Sequence, residues 1–406
     1  MELMLDEHQR EAVKGICESK HKITVLCGSA GRGKTTITAK VLEEIWRRGI
    51  ASKGGTYLAA PTGKAAVVMA QAFAGLDLIN TPKTIHRLLG CLGVSWGYNR
   101  RDRLDCELVV LDEASMVDVE IMARVIYSIS PNAQILAVLD DQQLLPIGAG
   151  SPMVDLISAN QPGQVFRLKK NYRQAAGEHL ACGLEDILAG KMPVFSSSEN
   201  PGNFHFHAVK RKEDIPEAVE SVVKEWYDTG EDWTCLSPQW KGAAGIEAIN
   251  QHLQAALNPE DKPGFDVFGG KIKEGDLVRH TKNNYKLGVF NGFCGKYVEK
   301  NGSMGHKIAY NGEIFTYEKR ADLDQVSLGY CVSIHASQGS QYQKVVAVIH
   351  DTHSYSLCRS LLYVACSRAQ KELHIVGSLD AVNRAVKKNI NDKRNTYLSL
   401  QFRGEQ

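Results

Sequence analysis

Apolar residues along this chain gather into short unbroken runs, separated by longer stretches with a helical repeat. Ile23-Thr-Val-Leu-Cys27, Thr56-Tyr-Leu-Ala-Ala60, Glu107-Leu-Val-Val-Leu111 and Gln134-Ile-Leu-Ala-Val-Leu139 are too short for helices and apolar on both alternating faces. That is the pattern of strands buried on both sides in a parallel sheet. After the first run, Ile37, Val41, Leu42 and Ile45 fall on one helical face, with Glu43, Glu44, Arg47 and Arg48 off it. The second half repeats the theme. Runs at 233–237, 344–349 and 373–376 read as buried strands, and 357–369 reads as a helix between the last two. Strand and helix alternating in this way predict an α/β protein with parallel sheets. One segment differs: Asn291-Gly292, Asn301-Gly302 and Asn311-Gly312 follow each other at ten-residue intervals. Asn-Gly is a strong hairpin signal, so a small β-meander or barrel is predicted over about 264–325. A Pro/Ser/Gly-rich stretch at 190–202 reads as a connection, and the polar tail after about 390 as a fraying end.

A length of 406 residues, at roughly 150 per domain, implies two to three domains. With 43% hydrophobic and 23% charged residues the chain is neither disordered, collagenous nor a coiled coil. Lys plus Arg is 48 against 46 Asp plus Glu, a net charge of +2, so any nucleic-acid partner has to be argued from local sites. The acidic N-terminus does not resemble a signal peptide, and no apolar run approaches the roughly 18 residues of a membrane span. A soluble, cytoplasmic protein without a membrane partner is expected. Ten cysteines are scattered without a Cys-x-x-Cys pair or a close Cys/His grouping, which argues against structural zinc and a disulfide framework. Cys27 and Cys235, inside apolar runs, read as small buried hydrophobes.

The candidate chemistry begins at the end of the first strand. Gly28-Ser-Ala30-Gly31-Arg32-Gly33-Lys34-Thr35-Thr36 is a glycine loop opening a helix. Its glycines let backbone N–H groups face a polyphosphate and the helix N-terminus adds a favourable dipole; Lys34 reaches the β/γ-phosphates and Thr35 ligates Mg²⁺. Asp112-Glu113 follows the strand 107–111 directly. Asp112 is assigned to Mg²⁺, and Glu113 to orienting and deprotonating the attacking water. After the next strand comes Asp140-Asp-Gln-Gln143-Leu-Leu-Pro146, where the Gln143 amide can sense the γ-phosphate.

Together these segments resemble the superfamily 1 helicases, in particular the 1B branch of RecD-like and phage Dda-like enzymes. The resemblance runs nearly the whole chain. It includes Gln9, Ala60-Pro-Thr-Gly-Lys64, Thr84-Ile-His86, Leu111-Asp-Glu-Ala-Ser-Met, Leu168-Lys-Lys-Asn-Tyr-Arg173-Gln, Ser333-Ile-His335-Ala-Ser337-Gln338-Gly339 and Leu362-Tyr-Val-Ala-Cys-Ser-Arg368. It implies two RecA-like parallel-sheet motor domains facing each other across one ATP, with a small SH3-like β-barrel insertion and a short pin insertion. Residues 1–88 and 106–175 would form the first motor domain and 89–105 the pin. Residues 176–263 and 326–406 would form the second motor domain, and 264–325 the SH3-like domain. Gln9 would read the adenine edge, Arg173 and Arg368 would act as arginine fingers, and Gln338 with Gly339 would couple nucleotide to the second domain.

The resemblance also implies single-stranded DNA held by Pro61, Thr62, Lys64, Thr84 and His86 in the first domain, and by His335 and Ser337 in the second. Trp96 and Tyr98 would stack at the strand junction, and Asn284 would touch DNA from the barrel. The expected function is ATP- and Mg²⁺-dependent DNA unwinding with 5′ to 3′ movement along single strands, by a monomer acting on single strands and single/double-strand junctions. A single-strand-binding or replication/recombination protein fits as a partner. Two rival readings are a translocase that strips proteins with little unwinding, and a helicase-like subunit of a larger complex.

Overall fold

The apolar runs form the centres of two parallel sheets. The computed structural model describes residues 5–93, 95–170, 179–267, 270–300, 305–310, 312–389, 398 and 401. The chain divides into two compact units, the first reaching Ala176 and the second spanning Gly177–Ile390. Arg173, Asn301, Gly302, Asn311 and nearly all of the tail after 390 lie outside the described residues.

In the first unit α1 (Glu7–Glu18) precedes β1 (Ile23–Cys27), α2 (Lys34–Arg47), β2 (Thr56–Ala60), α3 (Gly63–Ala72), β3 (Lys83–Thr84) and α4 (Ile85–Leu88). A hairpin of β4 (Cys91–Leu92) and β5 (Ser95–Trp96) follows, then β6 (Leu108–Leu111), α5 (Val119–Ser128), β7 (Gln134–Leu139), α6 (Pro152–Ala159) and β8 (Val165–Arg167). The six-stranded sheet has the order β3-β2-β6-β7-β1-β8, and its pairings are parallel. Alternate residues of each strand feed different cores. Val25, Val109, Ile135 and Ala137 pack with Met122 and Leu156 on one side. Leu26, Leu58, Val110 and Leu136 pack with Ile37, Val41, Leu42 and Ile45 of α2 on the other. Burial on both faces is why these strands read as unbroken apolar runs.

The second unit starts with α7 (His179–Leu188), β9 (Phe204–Ala208), α8 (Ile215–Asp228), β10 (Trp233–Ser237) and α9 (Ile246–Leu257). A hairpin of β11 (Gly264–Val267) and β12 (Gly270–Lys273) leads into β13 (Leu277–His280), β14 (Cys294–Lys300), β15 (His306–Tyr310), β16 (Glu313–Tyr317), α10 (Arg320–Leu323) and β17 (Val326–Leu328). β18 (Cys331–Ser333), β19 (Tyr342–Ile349), α11 (Arg359–Ser367), β20 (Ala369–Gly377) and α12 (Leu379–Lys387) complete it. Its parallel sheet has the order β18-β10-β19-β20-β9, and the inserted segment forms an antiparallel sheet ordered β16-β15-β14-β13-β17. The Asn-Gly signals behave differently from one another. Tyr310 pairs with Glu313 where β15 meets β16. Asn291-Gly292, by contrast, closes a long loop between β13 and β14, where Gly292 N donates to His280 O. Among the described residues no helix is long and apolar enough to cross a membrane.

Asp276 fastens the inserted sheet to the rest of its unit. Its side chain is fully buried. Oδ1 accepts from Asn258 Nδ2 at 2.8 Å and Tyr330 OH at 2.9 Å, and Oδ2 accepts from Lys273 N at 2.7 Å and from Gln254 Nε2. Removing the carboxylate strands four donors from α9, β12 and the β17–β18 junction. Asp276→Ala is therefore expected to lower unfolding stability by about 3 kcal/mol, and Tyr330→Phe by about 1 kcal/mol, measured by urea denaturation of the full chain.

Candidate nucleotide-binding site

Because the first sheet is parallel, the carboxyl ends of its strands share one edge, and the candidate residues follow those ends. Backbone bonds extend the sheet into the loops: Gly28 N donates to Leu139 O at 3.1 Å, Asp112 N to Ala59 O at 2.9 Å and Leu168 N to Cys27 O at 2.8 Å. The phosphate loop turns through Gly31 at φ +79° and Gly33 at φ +78°, left-handed conformations that a side chain would strain. A Cβ on Gly28 would sit 3.2 Å from Leu168 Cβ. Lys34 Nζ donates to Gly28 O at 2.7 Å and Ser29 O at 3.3 Å, which centres its ammonium in the loop. Thr35 is exposed at the helix start. Arg32 Nη1 donates to Leu168 O at 3.0 Å and Lys169 O at 2.7 Å, tying the loop to the segment that leads toward Arg173.

The carboxylate pair sits where the sequence predicted it. Glu113 adopts φ +49°, one of three non-glycine residues at positive φ among those described, and its N–H donates to Asp112 Oδ1 at 2.9 Å. Burial raises the Asp112 pKa to about 6; the charge of Glu113 adds to this, while that bond and Lys34 oppose it. Gln143 is buried, and its side-chain carbonyl has no hydrogen-bond partner among the described residues. The hydroxyl of Ser29, which sequence reasoning did not single out, is in the same condition. Buried polar atoms are seldom left unpaired, so both are suited to a ligand. Thr35 and Asp112 offer hard oxygen donors of the kind Mg²⁺ takes. Gln9 is buried, not on the surface. It closes a capping box, Oε1 accepting from Asp6 N at 3.2 Å and its own N–H donating to Asp6 Oδ1 at 2.8 Å. This side chain therefore has a structural duty whether or not it reads adenine.

In the second unit Arg368 is buried. It donates to Val364 O at 3.1 Å through Nε, to Ser340 O at 3.1 Å through Nη1 and to Ser367 Oγ at 3.0 Å through Nη2. Gln338 is buried, its Nε2 unpartnered, beside Gly339 at φ +73°.

Several of the residues expected to meet DNA already have partners within the chain. Ser337 is fully buried and donates to Ile334 O at 2.7 Å, so its hydroxyl is not offered to a strand. Thr84 is buried and caps α4, accepting from Arg87 N at 3.2 Å. Trp96 is half-buried, stacked 5.4 Å from the exposed His86 ring, with the Arg124 guanidinium 5.3 Å from its centroid. Tyr98 likewise packs against the first unit's core. Both rings are partly buried, and among the described residues of the hairpin the exposed large apolar group is Leu92, 81% accessible. Asn284 is committed internally, donating to Asp322 Oδ1 at 2.7 Å and accepting from Leu287 N at 3.2 Å. Thr62 caps α3, accepting from Ala65 N at 3.2 Å. Pro61 and Lys64 are half-exposed, and His335 is exposed.

A glycine loop and a carboxylate pair at the edge of one parallel sheet, followed by a second parallel-sheet unit, define a two-unit α/β architecture. The chain matches the family described as AAA domain over residues 4–208 and that described as UvrD-like helicase C-terminal domain over residues 328–376. The chain belongs to the RecD-like branch of the superfamily 1B helicases. It is 30% identical over 404 residues to the ATP-dependent RecD2 DNA helicase of Deinococcus radiodurans, covering 97% of this chain and 53% of that protein. It thus spans about half the length of that relative. The RecBCD enzyme subunit RecD of Mycolicibacterium smegmatis is 29% identical, with 94% and 73% covered. A Bacteroides Pif1 helicase crystallised with ADP-AlF3 and ssDNA superposes with a TM-score of 0.60 at 19% identity, covering 99% and 97%. That likeness supports two RecA-like sheets as the fold.

The environment of Asp112 yields a prediction with a definite sign. A pKa raised above the ordinary aspartate range means that the ionised carboxylate destabilises the folded state at neutral pH. Asp112→Asn is expected to raise the melting temperature at pH 7.5. The gain should shrink as pH falls through about 6, and vanish below the unfolded value near 4, as read by thermal denaturation across that range.

Proposed function

We propose that this chain is an ATP-driven DNA helicase motor that moves 5′ to 3′ along single strands and acts as a monomer in the cytoplasm. The observation that carries the reading is the convergence of Lys34, Thr35, Asp112, Glu113 and Gln143 on one sheet edge, each in an environment suited to its role. Lys34 leaves the loop carbonyls for the β- and γ-phosphates. Thr35 and Asp112 hold Mg²⁺, which neutralises phosphate charge when bound. Glu113 orients the attacking water and takes its proton, and Gln143 accepts a hydrogen bond from that water or otherwise registers the γ-phosphate. Arg368 and Arg173 supply cationic charge to the transferring phosphoryl group. Hydrolysis is coupled to grip on the strand through the loops at 61–64 and 335–339. The RecD2 relative is named as an ATP-dependent DNA helicase, and the same chemistry extends to this chain through the family.

Lys34→Ala is expected to abolish DNA-stimulated ATP hydrolysis while leaving single-strand binding within about threefold, since phosphate-backbone contacts carry that affinity. A variant with normal turnover would remove the loop from the mechanism. Polarity is tested by unwinding duplexes with either a 5′ or a 3′ single-stranded tail, and the 5′-tailed substrate is expected to be opened.

The hairpin favours a second reading, because β4 and β5 are only two residues each and their aromatic ring is packed. A translocase that displaces proteins would need no wedge. Leu92→Ser separates the two: a helicase loses unwinding but keeps translocation-linked ATPase, whereas a translocase changes in neither.

A further inference from the structure

The edge of the second parallel sheet carries a cluster of three histidines and a glutamate, none of which is named for the motor. β9 reads Phe-His-Phe-His-Ala, and strand alternation buries Phe204 while placing His205 and His207 on the opposite face. β20 lies beside it in parallel with His374 paired to His205, and Glu372, two residues earlier, shares the face of His374. The rings of His205 and His374 are 4.4 Å apart, and those of His207 and His374 stack at 5.0 Å.

We propose that His205, Glu372 and His374 bind one divalent transition-metal ion of the Zn²⁺ class, with His207 as the outer hydrogen-bond partner that orients His374. Glu372 Oε1 lies 3.7 Å from His205 Nε2 and 2.9 Å from His374 Nε2, and the three donor atoms all fall within 4.8 Å of one another. Tetrahedral bonds of about 2.0–2.1 Å set neighbouring donors about 3.3 Å apart, a value the two measured distances straddle. Small side-chain rotations therefore complete the geometry. The side chains are 31%, 28% and 13% exposed for His205, Glu372 and His374, so a fourth position remains open to water, as in sites with three protein ligands.

The surroundings hold the ligands in place. His207 Nε2 lies 2.7 Å from His374 Nδ1. Without an ion, His207 donates to His374, which donates in turn to Glu372. With an ion, the neutral tautomers exchange: His374 Nδ1–H donates to His207, and the Nε2 lone pair faces the metal, the usual outer-partner arrangement for a metal-bound imidazole. No net proton is lost. Lys344 Nζ occupies the other carboxylate oxygen, 3.1 Å from Glu372 Oε2, and is shared with Glu231 at 2.9 Å. Oε1 is thereby turned toward the imidazoles, and the ammonium charge is offset. Trp226 stands edge-on to His374 at 5.1 Å, an apolar wall on one side. A bound ion would staple the edge strand β9 to β20, where strand pairing is otherwise one-sided.

The test uses the full chain and Co²⁺ as a spectroscopic probe, displaced afterwards by Zn²⁺. One Co²⁺ per chain is expected, with a visible ligand-field band and no thiolate charge-transfer band, because all donors are N or O. Affinity should fall about tenfold or more in Glu372→Gln and His205→Asn, fall less in His207→Ala, and be unchanged in Cys182→Ser, whose thiol is exposed. Zn²⁺ should raise the melting temperature of the parent chain and not that of Glu372→Gln. Because Glu372→Gln keeps the side-chain shape, a folded variant with parent-like metal affinity would overturn the proposal. So would a parent chain that binds no stoichiometric ion at micromolar concentration, leaving only a His–Glu hydrogen-bond chain. Neither result depends on ATP hydrolysis or DNA, so failure here is separable from failure of the motor reading.

Discussion

The chemistry of the first unit depends on parallel strand register. β1 pairs with β7 so that Cys27 lies beside Leu139, and β2 pairs with β6 so that Ala59 lies beside Leu111. The phosphate loop, the carboxylate pair and Gln143 each begin one or a few residues after those positions. Their mutual placement is therefore inherited from the ladder, and Gly28 and Asp112 continue it with bonds to neighbouring strands. Slipping β1 by one residue would move Val25 and Cys27 to the face of Thr24 and Leu26, mixing two cores that are both closed. Because both faces are buried, hydrophobic burial fixes the position of the polar loops to within a residue.

The same rigidity lets the site hold unfavourable features. Glu113 in a left-handed conformation costs about 1–3 kcal/mol, and Asp112 carries a carboxylate that its surroundings disfavour. Gln143 keeps an unpaired buried oxygen. None of these would survive on a marginal loop. They persist because the strands leading into them, such as Val109, Val110 and Leu111, are fully buried, so relaxing the site would mean disturbing the core.

What was legible in the sequence follows from whether the deciding partner is local. The strand at 23–27, its glycine loop and the α2 face were readable because strand, turn and helix chemistry all lie within about twenty residues of one another. The helix expected at 357–369 appears as α11 for the same reason. Ser337, Thr84 and Asn284 could not be assigned from sequence alone because a hydroxyl or amide suits phosphate and a group of the chain itself equally well. Local caps and turns engage Ser337, Thr84 and the Asn284 carbonyl, and the Asn284 amide nitrogen donates to the sequence-distant Asp322. The packing of Trp96 was not legible because its neighbours His86 and Arg124 come from separate helices. The histidine cluster was invisible for a stronger reason. His205-x-His207 and Glu372-x-His374 are far apart in sequence and meet only because β9 joins the sheet next to β20, and no local pattern states which strand takes an edge.

Arg368 shows how such occupancy bears on the motor reading. Its guanidinium already satisfies three acceptors from its own unit, and a hydrogen bond from a charged donor is worth about 1.5–3 kcal/mol. If Arg368 is to serve a phosphoryl group, that group must offer at least as much as the acceptors it replaces. A triphosphate oxyanion in a water-poor site does so, whereas a neutral or absent ligand does not. The resting bonds would then act as a threshold. They hold the cation in a fixed rotamer inside its own unit, so only a strongly anionic acceptor competes for it. The Gln338 amide nitrogen, without a hydrogen-bond partner among the described residues, lies two residues from Ser340 in the same network and beside a left-handed Gly339, and is the element with least to lose in that exchange.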